Sequence, residues 1–349
     1  MFKPKTVFVI GAAASQNFGF PLGAKFKTQI ADFLNYKTNE WGEGSFSNEL
    51  YRFFQAFRES HEPTLIAAKK ITNGLGYASS IDHFLEMRKS DPHITACAKA
   101  TIAHLILKKE RNATKLHAQN PNKPLASGTE FDNTWQQKFA EICFERCEEN
   151  DLPDALSRVS FISFNYDRSI EQFIRVAIAA LYSLPFSEAD QIASEYFTVL
   201  HPYGSLGKLH SANPTEIIQF GAERPLDPRL LASNLHTFTE QLKEDGDLAE
   251  IKKLVQNAET IIFLGFGYHK QNVDILLPNE NYKNKRVIGT AKGMSEQAKN
   301  ITSSNLRRVL KYGKSPKSMN FPNIDLYDLD CTQLMSEHQL SLIDIPTTS

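Results

Sequence analysis

The 349-residue chain has few cysteines, almost no net charge and no long apolar run. Its four cysteines, Cys97, Cys143, Cys147 and Cys331, are too few and too scattered for a disulfide framework. None forms a C-x-x-C pair. A formal net charge of −1 gives no bulk attraction to nucleic acid or to an anionic membrane. Even the apolar stretch 173–186 is interrupted by Arg175, so no segment reaches the length of a membrane span. Lys3 and Lys5 ahead of a short apolar run ending in Ala12-Ala13-Ala14 mimic a secretory leader. That run breaks at Gly11 and continues into Ser15-Gln16-Asn17. The expectation is a soluble, cytoplasmic protein. The G-x-G-x-x-G fingerprint is also missing, which disfavours hydride transfer on a dinucleotide.

What is present begins at Thr6. Val7, Phe8, Val9 and Ile10 form a β-branched and aromatic run that stops at Gly11, and small residues precede a helical pattern from Leu22. This reads as a buried first strand turning into a loop that could cradle phosphate. Gly11, Ala12, Ala13 and Ala14 would let the backbone approach a pyrophosphate, with amides at the next helix as donors. A tight strand-to-helix turn without ligand reads equally well from this stretch alone.

Apolar residues at Leu22, Phe26, Ile30, Phe33 and Leu34 predict a helix. The section 41–150 shows almost no strand signal. Its patterns predict helices over 46–59, 65–75, 81–89, 94–109 and 135–149, with an exposed loop over 112–134. Strand runs return at 159–164, 196–200, 260–264, 286–290 and, more weakly, 323–327. Helices are predicted over 170–184 and most of 230–258. The alternation argues for an α/β, doubly wound and mostly parallel sheet. The expected division is a nucleotide-binding domain from 1–35 and 155–335, a helical insertion over 36–154, and a C-terminal tail over 336–349.

In such sheets ligands bind beyond the carboxyl ends of the strands. Four polar or glycine-rich elements each follow an apolar strand: 11–17, 165–167, 201–205 and 265–272. Their convergence on one rim favours a nucleotide site. Taken in order, GAAAS, FNYD, LHPYGSLG and LGFGYHKQN resemble the sirtuin-like family: its cofactor loop, its asparagine-x-aspartate element, its histidine ahead of a glycine-serine pair, and its later glycine-rich loop. Among these, the chain is most similar to bacterial sirtuin-like NAD hydrolases of anti-phage defence. The resemblance implies a sirtuin-type Rossmann-like fold with a large helical insertion after the first strand. It also implies an NAD⁺ glycohydrolase that releases nicotinamide and ADP-ribose.

On that reading Asn165 and His201 are the catalytic pair. Asn165 can donate to the ribose or nicotinamide and accept from a water, and His201 can act as a base on a ribose hydroxyl or on that water. Gly11, Ala12, Ala13 and Ser15 would hold the phosphates. Asp167, Gly204, Ser205, Gly265, Gly267 and Asn272 would complete the cofactor contacts. Taken alone, Asn165-x-Asp167 reads as an Asx-turn, Gly265 and Gly267 as positions of positive φ, and Asn272 as a helix cap. His269 is expected to be exposed. Ala13 stands where the family usually has glycine, and Pro202-Tyr203 separate His201 from Gly204. Both departures support a second hypothesis, a non-catalytic module that binds NAD⁺ or ADP-ribose.

Protein-deacylating sirtuins hold zinc with two C-x-x-C pairs, whereas Cys143 and Cys147 are spaced i, i+4, so no zinc and no deacylase are expected. Arg307, Arg308, Lys311, Lys314 and Lys317 read as a solvated basic face rather than a nucleic-acid contact. Trp41, Phe46, Tyr51, Phe53, Phe54 and Phe57 read as core or subunit interface. Regulation is expected through a homo-oligomer or a separate partner protein, of which the resemblance suggests a ring-forming ATPase.

Overall fold

The computed structural model describes residues 2, 5–38, 44–45, 47–117, 131–222, 226–237, 240, 245–276, 285–310 and 324–343. Six strands form one sheet: β1 (Thr6–Ile10), β2 (Val159–Ser163), β3 (Thr198–Leu200), β4 (Thr260–Leu264), β5 (Arg286–Thr290) and β6 (Ile324–Tyr327). Their order is β3-β2-β1-β4-β5-β6 and every pairing is parallel. This is the strand order of the doubly wound dinucleotide-binding fold, with its topological switch between β1 and β4. All residues of β1 and β4 are buried, as expected of central strands covered on both faces. The edge strand β3 is partly exposed.

Contacts divide the chain into two compact units, 1–18 with 114–202 and 244–349, and 19–113 with 203–243. The expected insertion 36–154 is therefore split, its residues beyond 113 clustering with the sheet. The helix 23–34 clusters with the helical unit.

The helical unit contains α1 (Gly23–Leu34), α2 (Asn48–Gln55), α3 (His61–Gly74), α4 (Ile81–Met87) and α5 (Pro92–Asn112), with a short helix at Pro228–Ala232. Ser47, Ser80 and Asp91 cap α2, α4 and α5 by accepting backbone amides, which fixes where each helix begins. Phe26, Ile30 and Leu34 bury one face of α1 against α3 and α5. Phe53, Phe54 and Phe57 are core, whereas Tyr51 is exposed; Trp41 and Phe46 lie outside the described residues.

The sheet unit adds α6 (Trp135–Cys143), α7 (Leu152–Ser157), α8 (Ser169–Leu181), α9 (Phe186–Tyr196), α10 (Asp245–Asn257), α11 (Lys270–Ile275), α12 (Glu296–Val309) and α13 (Cys331–Glu337). Phe8 and Phe161 sit side by side in the β1–β2 register and stack at 4.8 Å. Phe139 of α6 meets both rings edge-on, and Trp135 lies against Phe161. This aromatic layer closes one face of the sheet. α6 is shorter than its expected range, since Arg146 takes a left-handed φ of 56° soon after it, so Cys147 does not share a helix with Cys143. The expected tail is in part helical: α13 runs to Glu337 and a further helical turn spans Gln339–Ile343.

Candidate functional site

The turn after β1 is a 3-10 helix, Ala12–Phe18, rather than an open loop. A Cβ on Gly11 would fall 2.4 Å from the Gly265 carbonyl oxygen and 2.6 Å from the Phe266 Cα. A Cβ on Gly265 would fall 2.4 Å from the Ala14 nitrogen. These two glycines therefore let the loops after β1 and β4 interlock at the switch point. The amides of Gly11, Ala13 and Ala14 donate to Leu264, Gly265 and Gly11 carbonyls. That commits backbone groups expected to face phosphate, and leaves Gln16 and Asn17 as exposed polar side chains on this turn. Trp135 Nε1 and Gln136 Nε2 both donate to the Ala14 carbonyl, at 2.7 and 3.1 Å. Neither anchor was visible in the sequence, where 135–149 reads only as an amphipathic helix.

At the carboxyl end of β2, Asn165 and Asp167 are buried and joined to the β1 turn. Asn165 Nδ2 donates to the Gly11 carbonyl at 3.1 Å and to Ser15 Oγ at 2.9 Å. Ser15 Oγ donates to Asp167 Oδ1 at 3.1 Å. Asp167 Oδ1 also accepts from the Ser169 hydroxyl and, at 3.2 Å, from the Ser169 amide, an Asx-type bond that opens α8. Both amide hydrogens of Asn165 are thus committed, and contact with a water or ribose falls to its Oδ1.

His201 follows β3. Its Nδ1 lies 2.8 Å from the Asn165 carbonyl oxygen and its Nε2 lies 2.9 Å from Glu171 Oε1, with the side chain only 8% exposed. Both partners accept, so both ring nitrogens carry protons in this arrangement. Burial lowers the proton affinity of His201, but the Glu171 carboxylate, the Asn165 carbonyl and nearby Asp167 outweigh it, and the net shift is upward. A raised folded-state value stabilises the fold fully below the ordinary value of 6.5, and that contribution is lost as pH rises through the folded-state value. The destabilisation caused by His201→Gln is accordingly expected to be larger at about pH 6 than at about pH 9. Urea unfolding at the two pH values measures it, and an equal loss at both would mean that the imidazolium is not the stabilising form.

Glu171 was not singled out from the sequence. It sits in the first turn of α8 and reads as an ordinary helix carboxylate until His201 is placed beside it. Its Oε2 is buried and has no hydrogen-bond partner among the described residues.

In the loop after β4, Gly265 has φ +60° and its amide donates to Thr290 Oγ1 at 2.8 Å. Positive φ is taken next by Tyr268, at 52°, and not by Gly267, whose glycine answers to no backbone requirement. The Tyr268 hydroxyl donates to the Thr290 carbonyl at 3.0 Å. Asn272 lies inside the first turn of α11, which begins at Lys270, so the capping position is His269, which is exposed. Gly204 and Ser205 belong to the helical unit, where Gly204 bridges to Leu235 and a Cβ on it would strike the Asn234 carbonyl oxygen at 1.9 Å.

Burial pushes the Cys97, Cys143 and Cys331 thiols up to about 12. Among the described residues no group of three or more His, Cys, Asp or Glu side chains is placed to hold a metal, and no helix is long and apolar enough to cross a membrane. Arg307 and Arg308 are exposed in the last turn of α12, and Lys311, Lys314 and Lys317 lie outside the described residues. Compared with protein-family models and with curated proteins, the chain has no match in either.

Proposed function

We propose that this chain is an NAD⁺ glycohydrolase that cleaves NAD⁺ to nicotinamide and ADP-ribose, with Asn165 and His201 at its centre. The observation that carries the reading is the joining of Ser15, Asn165, Asp167 and His201 beyond the ends of three adjacent parallel strands, next to the switch point. Breaking the bond between nicotinamide and ribose leaves an oxocarbenium-like centre. The Asp167 carboxylate supplies negative charge for it. Asn165 Oδ1 orders the attacking water, and His201, bound to the Asn165 carbonyl, holds that residue in place. The order of the four motifs, like that of bacterial sirtuin-like defence enzymes, supports a role as the effector of an anti-phage system. Such an enzyme needs restraint, supplied on this reading by homo-oligomerisation or by a partner protein such as a ring-forming ATPase. The free state of all four cysteines agrees with a cytoplasmic setting.

The test is nicotinamide release from NAD⁺ by the purified protein. Asn165→Ala and His201→Ala are each expected to lower release by roughly a hundredfold or more, with circular dichroism confirming the fold. One observation favours a second reading, a module that binds NAD⁺ or ADP-ribose without turnover: both ring nitrogens of His201 are engaged by acceptors, so the imidazole has no lone pair to offer. A wild-type protein that binds ADP-ribose yet releases no nicotinamide would select it.

A further inference from the structure

The His201–Glu171 pair is arranged opposite to a histidine base. A carboxylate that receives one imidazole N–H keeps further lone pairs, and Glu171 Oε2 is buried with no donor among the described residues. A buried acceptor without a partner costs free energy, which makes such a group a place where something is meant to bind. The other charges acting on the pair are Asp167, on the loop after β2, which acts on His201, and Arg175, one turn further along α8, which acts on Glu171. Arg175 is turned to Asp190, at 2.6 Å, and to Gln172 Oε1, at 2.9 Å. Neither of these contacts reaches Glu171 Oε2.

We propose that Glu171 is the O–H acceptor of this site: its Oε2 receives the hydrogen of a ligand hydroxyl or of the attacking water, while His201 holds Oε1. This rests on the NAD⁺ reading above and names a catalytic residue for it. With water as the source, the proton passes to Oε2 as the water oxygen bonds to the anomeric carbon. The carbon–nitrogen bond breaks with its electron pair going to the ring nitrogen, which releases neutral nicotinamide. Nothing is oxidised or reduced, and Glu171 returns the proton to solvent. With a ribose hydroxyl as the source, the same oxygen fixes the sugar and no proton moves. His201 then acts as a positioning residue.

Glu171→Gln separates this role from a structural one. The amide is isosteric and still offers an oxygen to His201, but its other atom is an NH₂ that cannot accept an O–H. ADP-ribose binding is followed by calorimetry and nicotinamide release as kcat and KM from about pH 5 to about pH 9. If a ribose hydroxyl is bound, Glu171→Gln weakens ADP-ribose about tenfold or more. If water is bound, ADP-ribose affinity and KM hold while kcat falls about a hundredfold and the acidic limb of the rate profile disappears. Either result supports the inference. A Glu171→Gln protein with wild-type affinity and kcat overturns it while leaving the hydrolase reading intact. A wild type that binds ADP-ribose without releasing nicotinamide, but loses binding in Glu171→Gln, overturns the hydrolase reading and keeps the inference. A wild type that does neither overturns both. Should Glu171→Gln not fold, Glu171→Asp, which withdraws the carboxylate by one methylene, is read by the same criteria.

Discussion

Gly265→Ala is expected to destabilise the protein by about 2–5 kcal/mol, combining left-handed strain with a backbone overlap that cannot relax. The residue sits at φ +60°, and its new methyl would meet the Ala14 nitrogen at 2.4 Å, the Ala13 carbonyl carbon at 2.8 Å and the Ala13 Cβ at 2.9 Å. Two of these three atoms are backbone in a turn already tied down through Ala14, so neither loop can yield by a rotamer change. Gly23→Ala is the control. Nothing lies within 4 Å of its Cβ position and it opens a helix, so it should be neutral or stabilising by up to about 1 kcal/mol. Urea unfolding of the two variants side by side measures the contrast. Equal stability would mean that the loops after β1 and β4 do not interlock.

Trp135→Ala is expected to cost about 3–5 kcal/mol, the range for emptying a buried aromatic site. Trp135 is 2% exposed, its ring lies against Phe161, and its Nε1 holds the Ala14 carbonyl at 2.7 Å. Trp135→Phe divides the effect. It keeps a six-membered aromatic ring and removes the N–H with the rest of the five-membered ring, while Gln136 Nε2 still reaches the same carbonyl at 3.1 Å. A loss of about 1 kcal/mol is expected there. The two losses, read from urea midpoints at constant slope, separate packing from the anchor. Similar losses in both variants would make the hydrogen bond the larger part.

The fold was legible where burial is two-sided. The runs VFVI, VSFIS, TIIFL and RVIGT stand out because central parallel strands need apolar residues on both faces. α9 did not stand out, because it buries only Ala189 and Ala193 and its surface is polar. In consequence the strand expected over 196–200 starts two residues later. The rim was legible as a set of strand ends, and Ser15, Asn165, Asp167 and His201 are joined there. The use of its groups was less visible. Gly265 has the positive φ that is one of its two readings from sequence, but the mutual contact of Gly11 and Gly265 is not visible there, because those loops are far apart in the chain. The same distance hides Glu171, whose chemistry depends on a histidine one helix and one strand further on.

The central position of β1 bears on how the protein is made. β1 occupies residues 6–10, but its two sheet partners lie at 159–163 and 260–264. At synthesis rates of about 5–20 residues per second, this strand, fully buried in the finished fold, waits roughly 13–50 seconds for its second partner. Until residue 163 is made both edges of β1 lack their final neighbours, and one edge stays open until residue 264 is made, the state in which strands pair with other nascent chains. Growth at lower temperature or with holdase chaperones should therefore raise the soluble yield of this protein more than any change to its surface.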